Sequence, residues 1–432
     1  MYCYNVQQPS DSAMNLSALR YSKKAFIVRD NVDFPCNLNI PTRSKEIPKD
    51  AHQVRPGDID VIGAIGDSLS VGYGASAVSL EQVFSEMRGK SFSIEAIEVE
   101  IHQCNADIVI LPPDPDILTD NEECDDELID TNIVPADIPG SLEVHFDQYE
   151  DFDSSGQGTW RTSMTLPNIL KVFNPNLIGY SLATSLSTQR ESQFNVAEVG
   201  AVSAHMPYMA KVLVHRMKTD PRVNIEKDWK LITHMIGDND FCTEICFYNS
   251  SRIALIKHKD DLVKVLRILK ANLPRTIVNV VPPPHLQVLT RMFDKPFICH
   301  LTHSVACPCL IGLSYQARQK KFLDVMRVWQ KLDIEISNSP EFDLDDFTVI
   351  PHQFTLNYTF PKTERGTIDY RYLSEDCFHL SEKGQARFAH DLWNSMLEPF
   401  GKKSTDGSDV FEKFNCPSER HPFIFTRRNS QI

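Results

Sequence analysis

Four separated stretches of the chain carry side chains that together could transfer an acyl group. Ser68 stands in a GDSL tetrapeptide directly after an apolar run, where its hydroxyl could act as a nucleophile. Asp376 and His379 lie three residues apart, so the carboxylate could orient the imidazole and stabilise its charged form. Between Ser68 and Asp376 in the chain, Gly200 can bring a backbone N–H close to a ligand, and Asn239 offers a side-chain amide to an oxyanion.

Each stretch taken alone has an ordinary structural explanation. A serine after a strand often only caps the next helix, and an Asn-Asp pair in the same place is often part of a turn. A glycine ahead of a helix is often needed for packing, and an Asp-x-x-His sequence is often a surface pair. The hypothesis of ester hydrolysis therefore rests on the joint occurrence of all four, each at a predicted strand end or loop.

The hydrophobic pattern predicts the elements that would position these side chains. Short apolar runs ended by glycine or proline predict buried strands at residues 59–66, 230–237 and 276–281. Helical periodicity predicts four helices. The first covers residues 197–217, the second ends before Pro274, the third covers residues 315–332, and the last lies around Trp393. An irregular segment separates the third helix from the last. Strands alternating with helices predict an α/β fold whose parallel sheet is covered on both faces, with Ser68 and Asn239 at the carboxyl ends of strands.

These stretches resemble the sequence blocks of the GDSL, or SGNH, hydrolase superfamily, and most closely its phospholipase B branch. The resemblance extends to longer segments such as "TLPNILKVFNPNLIGYS", "DCFHLSEKGQARFAHDLWNSMLEPFG" and "CPSERHPFIFT". It runs from about residue 34 to residue 429, apart from an acidic segment at 95–154. It implies a three-layer α/β/α, flavodoxin-like fold with a central parallel sheet.

The resemblance also implies a role for each site residue. Ser68 is the implied nucleophile, His379 the general base and acid, and Asp376 its orienting carboxylate. The implied oxyanion hole consists of the backbone N–H groups of Ser68 and Gly200 and the amide of Asn239. The implied activity is hydrolysis of phospholipids or lysophospholipids at a membrane or micelle surface through an acyl-enzyme, without metal or cofactor. A general carboxylesterase acting on soluble esters is the alternative, since no lid or interfacial helix is evident from the sequence.

Asp238 departs from the family pattern, which usually has a small or apolar residue at this position. An ionised carboxylate that faced the pocket beside Asn239 would oppose an oxyanion. The opposition would remove about 1 to 3 kcal/mol of transition-state stabilisation. A carboxylate that pointed to solvent would have little effect.

The acidity of the chain is concentrated in residues 95–154. This segment holds 19 Asp and Glu residues and no Lys or Arg, whereas the rest of the chain holds 44 basic and 39 acidic residues. The near-neutral remainder gives no case for nucleic-acid binding. The acidic segment has few aromatic residues, so we predict that it is a disordered insertion. It resembles the acidic N-terminal region of piggyBac-type transposases, and a catalytically inactive product disrupted by this insertion is a further alternative.

These observations predict four parts of the chain. Residues 1–58 form an extended N-terminal arm, and residues 59–94 with 155–400 form the hydrolase domain. Residues 95–154 form the insertion, and residues 401–432 form a C-terminal extension that packs on the hydrolase domain. We expect a monomer, and no apolar run of the roughly 18 residues needed to span a membrane occurs.

Cysteine usage favours an oxidising compartment. Of 11 cysteines, eight form an even set outside the acidic segment and the first residues. Their spacings lack the paired Cys-x2-Cys pattern of zinc sites, so we predict disulfides, with Cys242–Cys246 as the first choice. Asn249 and Asn357 lie in glycosylation sequons. We predict an extracellular or membrane-associated protein whose signal peptide is missing from this sequence. The eight cysteines are Cys36, Cys242, Cys246, Cys299, Cys307, Cys309, Cys377 and Cys416.

Overall fold

A computed structural model of the chain describes residues 26, 28, 32–73, 75–77, 79–85, 158–292, 295–410 and 412–430. Within these ranges four parallel strands form one sheet in the order β1-β2-β3-β4. The strands are β1 (Ile59–Gly66), β2 (Trp229–Met235), β3 (Thr276–Val280) and β4 (Phe347–Pro351). Sequence patterning predicted the first three. The fourth lies in the stretch that was expected to be irregular.

The strands are buried because the sheet is covered on both faces. Every residue of β3 and β4 is buried, and β1 has only two partly exposed positions. Such nearly continuous apolar runs are typical of parallel strands between helix layers. They explain why a run such as Ile59–Gly66 could be assigned to a central strand from its composition alone.

Irregular segments extend the sheet beyond β1. The Ile62 N–H donates to the carbonyl of Ile178 at 2.9 Å, and the Ala64 N–H donates to the carbonyl of Phe194 at 3.0 Å. Both segments run parallel to β1. The strand that leads to Ser68 is therefore hydrogen-bonded on both sides, which holds its carboxyl end in place.

The helices connect the strands and complete the layers. Several begin at a side-chain cap, such as Thr165, Ser250 and Ser381, whose hydroxyls accept from backbone N–H groups of the first turn. The described helices are α1 (Ser68–Val71), α2 (Leu80–Ser85), α3 (Leu166–Phe173), α4 (Met206–Thr219), α5 (Ser251–Asn272), α6 (Gln287–Thr290), α7 (Phe297–Ala306), α8 (Pro308–Ile311), α9 (Gln319–Ser337) and α10 (Glu382–Met396).

The helix predicted over residues 197–217 begins later than expected. Helix α4 starts at Met206 after a short 3-10 turn, and residues 197–202 form a loop. Gly200 has φ of +73°, in the left-handed region that interrupts a right-handed helix. The Glu198 N–H also donates to the carbonyl of Gly66 at 3.2 Å. The loop is thus attached to the carboxyl end of β1.

Two hydrophobic clusters lie on opposite faces of the sheet. Leu231, Ile277 and Ile350 belong to one cluster, which includes the apolar sides of α3, α9 and α10. Their neighbours Ile232, Val278 and Val349 belong to the other, which includes those of α4 and α5. Successive residues of a strand point to opposite faces, so alternate residues of each strand belong to different clusters. This arrangement confirms the predicted three-layer α/β/α fold.

The described parts of the N-terminal and C-terminal segments contact each other and α10. Cys36 is disulfide-bonded to Cys416, and the Ile424 N–H donates to the carbonyl of Val54 at 2.9 Å. The indole N–H of Trp393 donates to the carbonyl of Asn415 at 2.8 Å. These contacts place the last residues against the helix layer. The division of the chain into four parts stays a prediction.

The eight cysteines of the predicted set form four disulfides, but the expected Cys242–Cys246 pair is wrong. Cys242 bonds to Cys307, and Cys246 bonds to Cys309. Cys242 and Cys246 are four residues apart in and just after a π-helical turn, so both thiols can face the same neighbouring segment. Each then takes one partner from the Cys-x-Cys sequence of that segment. The remaining pairs are Cys36–Cys416 and Cys299–Cys377.

Two other predictions concern the acidic insertion and membrane-spanning segments. The predicted acidic insertion at 95–154, which resembles a transposase segment, lies outside the described residues. In the part of the chain that is described, no helix combines the length and the apolar composition that crossing a bilayer requires.

Candidate active site

Ser68 lies at the start of α1, immediately beyond the carboxyl end of β1. Asp67 caps this helix, with its carboxylate accepting from the Leu69 N–H at 3.0 Å. The turn requires glycine at position 66, because a Cβ there would lie 2.3 Å from Ser70 Oγ and 2.5 Å from the carbonyl of Met235. The GDSL stretch is therefore a tight strand-to-helix turn that presents the serine hydroxyl.

The structure brings Ser68, His379 and Asp376 into one hydrogen-bonded chain. Nε2 of His379 lies 2.9 Å from Oγ of Ser68, and Nδ1 of His379 lies 2.6 Å from Oδ2 of Asp376. The three residues are between 5% and 6% exposed. A hydroxyl bound to an imidazole that is bound in turn to a carboxylate is the arrangement that activates a serine nucleophile.

Asp376 is held in its ionised form. Its Oδ1 accepts from the backbone N–H groups of Phe378 and His379, both at 2.9 Å. Burial raises the pKa of Asp376, but the charge of His379 and the hydrogen bonds from the imidazole and the two N–H groups outweigh it. The pKa therefore lies below its ordinary value. An ionised carboxylate at this position keeps the Nδ1 proton of His379 in place.

The loop that carries both residues, here called the histidine loop (residues 374–379), is fastened to α7. Cys377, at φ of +58°, is disulfide-bonded to Cys299 of this helix. The hydroxyl of Thr302 donates to the carbonyl of Asp376 at 2.6 Å. Nε2 of His303 lies 2.8 Å from the carbonyl of Cys377. The contacts of Thr302 and His303 were not predicted from the sequence, because no local motif relates these residues to a loop more than 70 positions away.

The ring of His303 acts as a neutral hydrogen-bond donor to this loop. Burial lowers its pKa to about 4. Nζ of Lys295 lies 3.2 Å from its Nδ1, so the proton of the neutral ring belongs on Nε2, facing Cys377. The contact therefore supports the histidine loop without adding a charge next to Asp376.

The predicted oxyanion residues lie at the same edge of the sheet as Ser68. The loop that contains Gly200 is bonded to Gly66, as described above, and the Asn239 side chain lies against the same loop. Nδ2 of Asn239 donates to the carbonyl of Ala201 at 3.0 Å. This bond uses one of its two amide hydrogens and leaves the other for a second acceptor.

Asp238, the departure from the family pattern, is buried rather than exposed to solvent. Burial raises its pKa well above the ordinary value, and the carboxyl groups of Asp67 and Asp240 raise it further. The raised pKa favours the uncharged, protonated form of this side chain. In its protonated form Asp238 would not repel an oxyanion bound beside Asn239.

The pKa of Asp67 is also raised. Burial raises its pKa to about 7, although the Leu69 N–H and His379 act in the opposite direction. Within the described residues, Oδ2 of Asp67 and Oδ1 of Asp238 have no hydrogen-bond donor. The two buried carboxyl groups, here called the acidic pair, both have raised pKa values and directly precede Ser68 and Asn239 in the chain.

A second Ser-His-Asp chain connects the 3-10 turn before α4 to helices α5 and α9. Oγ of Ser203 lies 2.9 Å from Nδ1 of His258, and Nε2 of His258 lies 2.5 Å from Oδ1 of Asp333. These residues are only 1% to 3% exposed, so the Ser203 hydroxyl is less accessible than that of Ser68. The Ser203 N–H also donates to both carboxylate oxygens of Asp240, the neighbour of Asn239. The chain is therefore a buried network that contacts the neighbour of Asn239.

One group of three potential metal ligands is found in the described ranges. Asp50, His52 and Asp345 have ligand atoms within 4.8 Å of one another. Arg428 already pairs with Asp345 at 2.8 Å. The hydroxyl, imidazole and carboxylate of the candidate site need no metal to activate the nucleophile.

The chain is similar to known proteins over most of its length. A family model described as GDSL-like Lipase/Acylhydrolase matches residues 62–392. The chain is 32% identical over 435 residues to "Phospholipase B1, membrane-associated" of Rattus norvegicus, with all of this chain and 25% of the relative covered. It is 33% identical over 395 residues to the protein of the same description in Homo sapiens, with 90% of this chain and 22% of the relative covered. The chain thus spans about a quarter of the length of these relatives.

Proposed function

The chain belongs to the GDSL-like lipase/acylhydrolase family, and on that premise we propose that it is a serine esterase that hydrolyses the acyl ester bonds of phospholipids or lysophospholipids. The observation that carries the proposal is the hydrogen-bonded chain from Ser68 through His379 to Asp376. The similarity to proteins described as phospholipase B1 supports lipid esters as the substrate class.

The proposed reaction begins with proton transfer from Ser68 Oγ to His379 Nε2 as the oxygen attacks the acyl carbonyl carbon. The carbonyl oxygen becomes an oxyanion, which the N–H groups of Ser68 and Gly200 and the second amide hydrogen of Asn239 would stabilise. Collapse of this intermediate expels the alcohol, which takes the proton from His379. An acyl ester on Ser68 remains.

Water completes the cycle by the same route. His379 Nε2 removes a proton from the water as its oxygen attacks the acyl-enzyme, and the proton then returns to Ser68 Oγ as the fatty acid leaves. Asp376 stays ionised throughout, because its depressed pKa keeps the proton on Nδ1. No cofactor enters either half of the reaction.

A general carboxylesterase acting on soluble esters is the alternative. The two are distinguished by comparing the rate on a short p-nitrophenyl ester with the rate on a lysophospholipid below and above its micelle-forming concentration. A rate that rises only when micelles form supports the lipid substrate, whereas equal rates on monomers and micelles favour the carboxylesterase.

The test of the enzyme itself is the Ser68→Ala variant assayed beside the unchanged chain. We expect the variant to lose at least about 10³-fold in kcat on both the p-nitrophenyl ester and the lysophospholipid. Ser314→Ala, at an exposed position, is the matched control and should keep full activity. Equal activity of the Ser68→Ala variant and the parent would overturn the assignment.

An inactive product disrupted by the acidic segment is the remaining alternative. The hydrogen bonds joining Ser68, His379 and Asp376 argue against it. Deletion of residues 95–154 tests it directly, since an obstructive segment predicts a large gain in activity on deletion.

We also propose an extracellular or membrane-associated location. The four disulfides support an oxidising compartment, and the relatives are described as membrane-associated. Asn249 and Asn357, the predicted glycosylation sites, are both exposed. A mass shift of the secreted chain after enzymatic removal of N-glycans would support this proposal.

A further inference from the structure

Helix α7 presents two chemically different faces. Cys299, Thr302 and His303 are buried and bind the histidine loop. Phe297, Leu301 and Val305 follow one another at every fourth position on the outward side. They are 82%, 47% and 55% exposed. A row of large apolar side chains in water is costly unless another surface covers it.

The outward row is held rigidly. Cys299, on the buried side of the helix, is bonded to the histidine loop, and the two disulfides described above fasten Cys307 and Cys309 to the π-helical turn. Leu313, just beyond α8, is a further large apolar side chain in this part of the chain and is 88% exposed. Three disulfides therefore keep apolar side chains turned outward in one orientation.

The charge of this region differs from that of the chain. The formal net charge of the whole chain is −14, yet residues 285–321 contain five Lys and Arg residues and a single acidic residue. Basic residues that lie close in the chain to an apolar helix face suit a surface that is both anionic and apolar at its boundary. The five basic residues are Arg291, Lys295, Arg318, Lys320 and Lys321.

We propose that α7 is a lipid-docking helix, whose row Phe297, Leu301 and Val305 enters the headgroup boundary of an anionic membrane. The same helix holds Asp376 and Cys377, so docking would bring the histidine loop to the lipid surface. This inference rests on the proposed function for its biological meaning. The binding itself is measured without catalysis.

The experiment uses the full chain carrying Ser68→Ala, so that no lipid is consumed. Cosedimentation is measured with vesicles of phosphatidylcholine alone and of phosphatidylcholine mixed with phosphatidylglycerol. We expect tighter binding to the mixed vesicles, weakened by salt. Leu301→Glu should reduce that binding by about tenfold or more. Ile256→Glu, on α5 at 52% exposure, is the matched control and should bind as the parent does.

A second arm separates this inference from the proposed function. In the chain with Ser68 intact, Leu301→Glu should lower the ratio of the rate on vesicle phospholipid to the rate on a soluble ester. If no lipid is hydrolysed but Leu301→Glu still abolishes vesicle binding, the proposed function fails and the docking face stands. Equal vesicle binding by Leu301→Glu and Ile256→Glu overturns the docking face. A dimer in analytical ultracentrifugation that Leu301→Glu dissociates would assign the face to a second copy and overturn it as well.

Discussion

Nδ1 of His379 lies 2.6 Å from Oδ2 of Asp376, while Oδ1 of the same carboxylate accepts from two backbone N–H groups. Both oxygens of Asp376 are thus occupied by donors from its own loop. The carboxylate can neither rotate nor take up a proton without losing one of these bonds. This contact assigns the Nδ1 proton of His379 and leaves Nε2 facing Ser68.

Asp376→Asn should therefore reverse the tautomer of His379. The new amide can keep accepting the two backbone bonds through its oxygen, which turns its NH2 group toward Nδ1 and moves the ring proton to Nε2. Nε2 can then no longer accept the proton of Ser68, and we expect kcat to fall by about 10⁴-fold. Steady-state hydrolysis of a p-nitrophenyl ester measures the effect. Asp406→Asn, at an exposed position, serves as the control, and comparable rates for the two variants would contradict the role of Asp376.

Thr302 acts as a positioning residue through its hydrogen bond to the carbonyl of Asp376. Thr302→Val keeps the shape of the side chain but removes the donor, so the histidine loop should lose alignment. We expect kcat to fall by about fivefold with KM nearly unchanged, in line with the net value of one hydrogen bond. Thr302→Ser restores the donor and should restore kcat. A loss that the serine variant does not rescue would mean that packing alone is affected.

The buried chain of Ser203, His258 and Asp333 should contribute to stability and not to nucleophilic attack. Ser203→Ala is expected to retain labelling of Ser68 by a fluorophosphonate probe, because the backbone N–H that binds Asp240 is unchanged. Asp333→Asn breaks a fully buried pair and should reduce the free energy of unfolding by about 3 kcal/mol. Urea denaturation measures the second effect. Recovery of a probe adduct on Ser203 would show instead that this hydroxyl is reactive.

The acidic pair of Asp67 and Asp238 predicts that stability declines as pH rises. Both pKa values are raised by burial in the folded chain, so the folded state holds protons that the unfolded state releases near its ordinary value of 3.8. Their contribution to stability is complete below that value and is lost as pH rises through the folded-state pKa, which is about 7 for Asp67 and well above the ordinary value for Asp238. Asp238→Asn removes one titrating group. The free energy of unfolding should therefore decline less steeply with pH in this variant than in the parent.

Urea denaturation across a pH series checks this expectation. Asp260→Asn, at an exposed position, should leave the pH dependence of unfolding as it is in the parent. The same slope in the parent and in Asp238→Asn would show that Asp238 is ionised in the folded chain.

Much of the sheet and the reactive residues could be predicted from the chain because their signals are local. The runs that became β1, β2 and β3 are recognisable from apolar composition and the glycine or proline that ends them. The stripe of α5 and its end before Pro274 follow from helical periodicity. Ser68, Asp376 and His379 were singled out because each sits in a short motif whose residue types suit the chemistry.

Other features depend on contacts between distant segments, and these were missed or mistaken. The short β4 became a strand by pairing with β3, and residues 197–202 became a loop because Gly200 and Glu198 are engaged with the end of β1. The partners of Cys242 and Cys246 depend on which segment faces them in the fold.

The same holds for α7, whose periodicity alone does not reveal which face will meet the histidine loop. Residue types and local turns are encoded by near neighbours, and so they can be identified from the amino-acid order. Which side chains come within hydrogen-bond distance across 311 positions is set by how the layers pack on the sheet. Packing depends on all segments at once, which is why the geometry of the site required the folded chain.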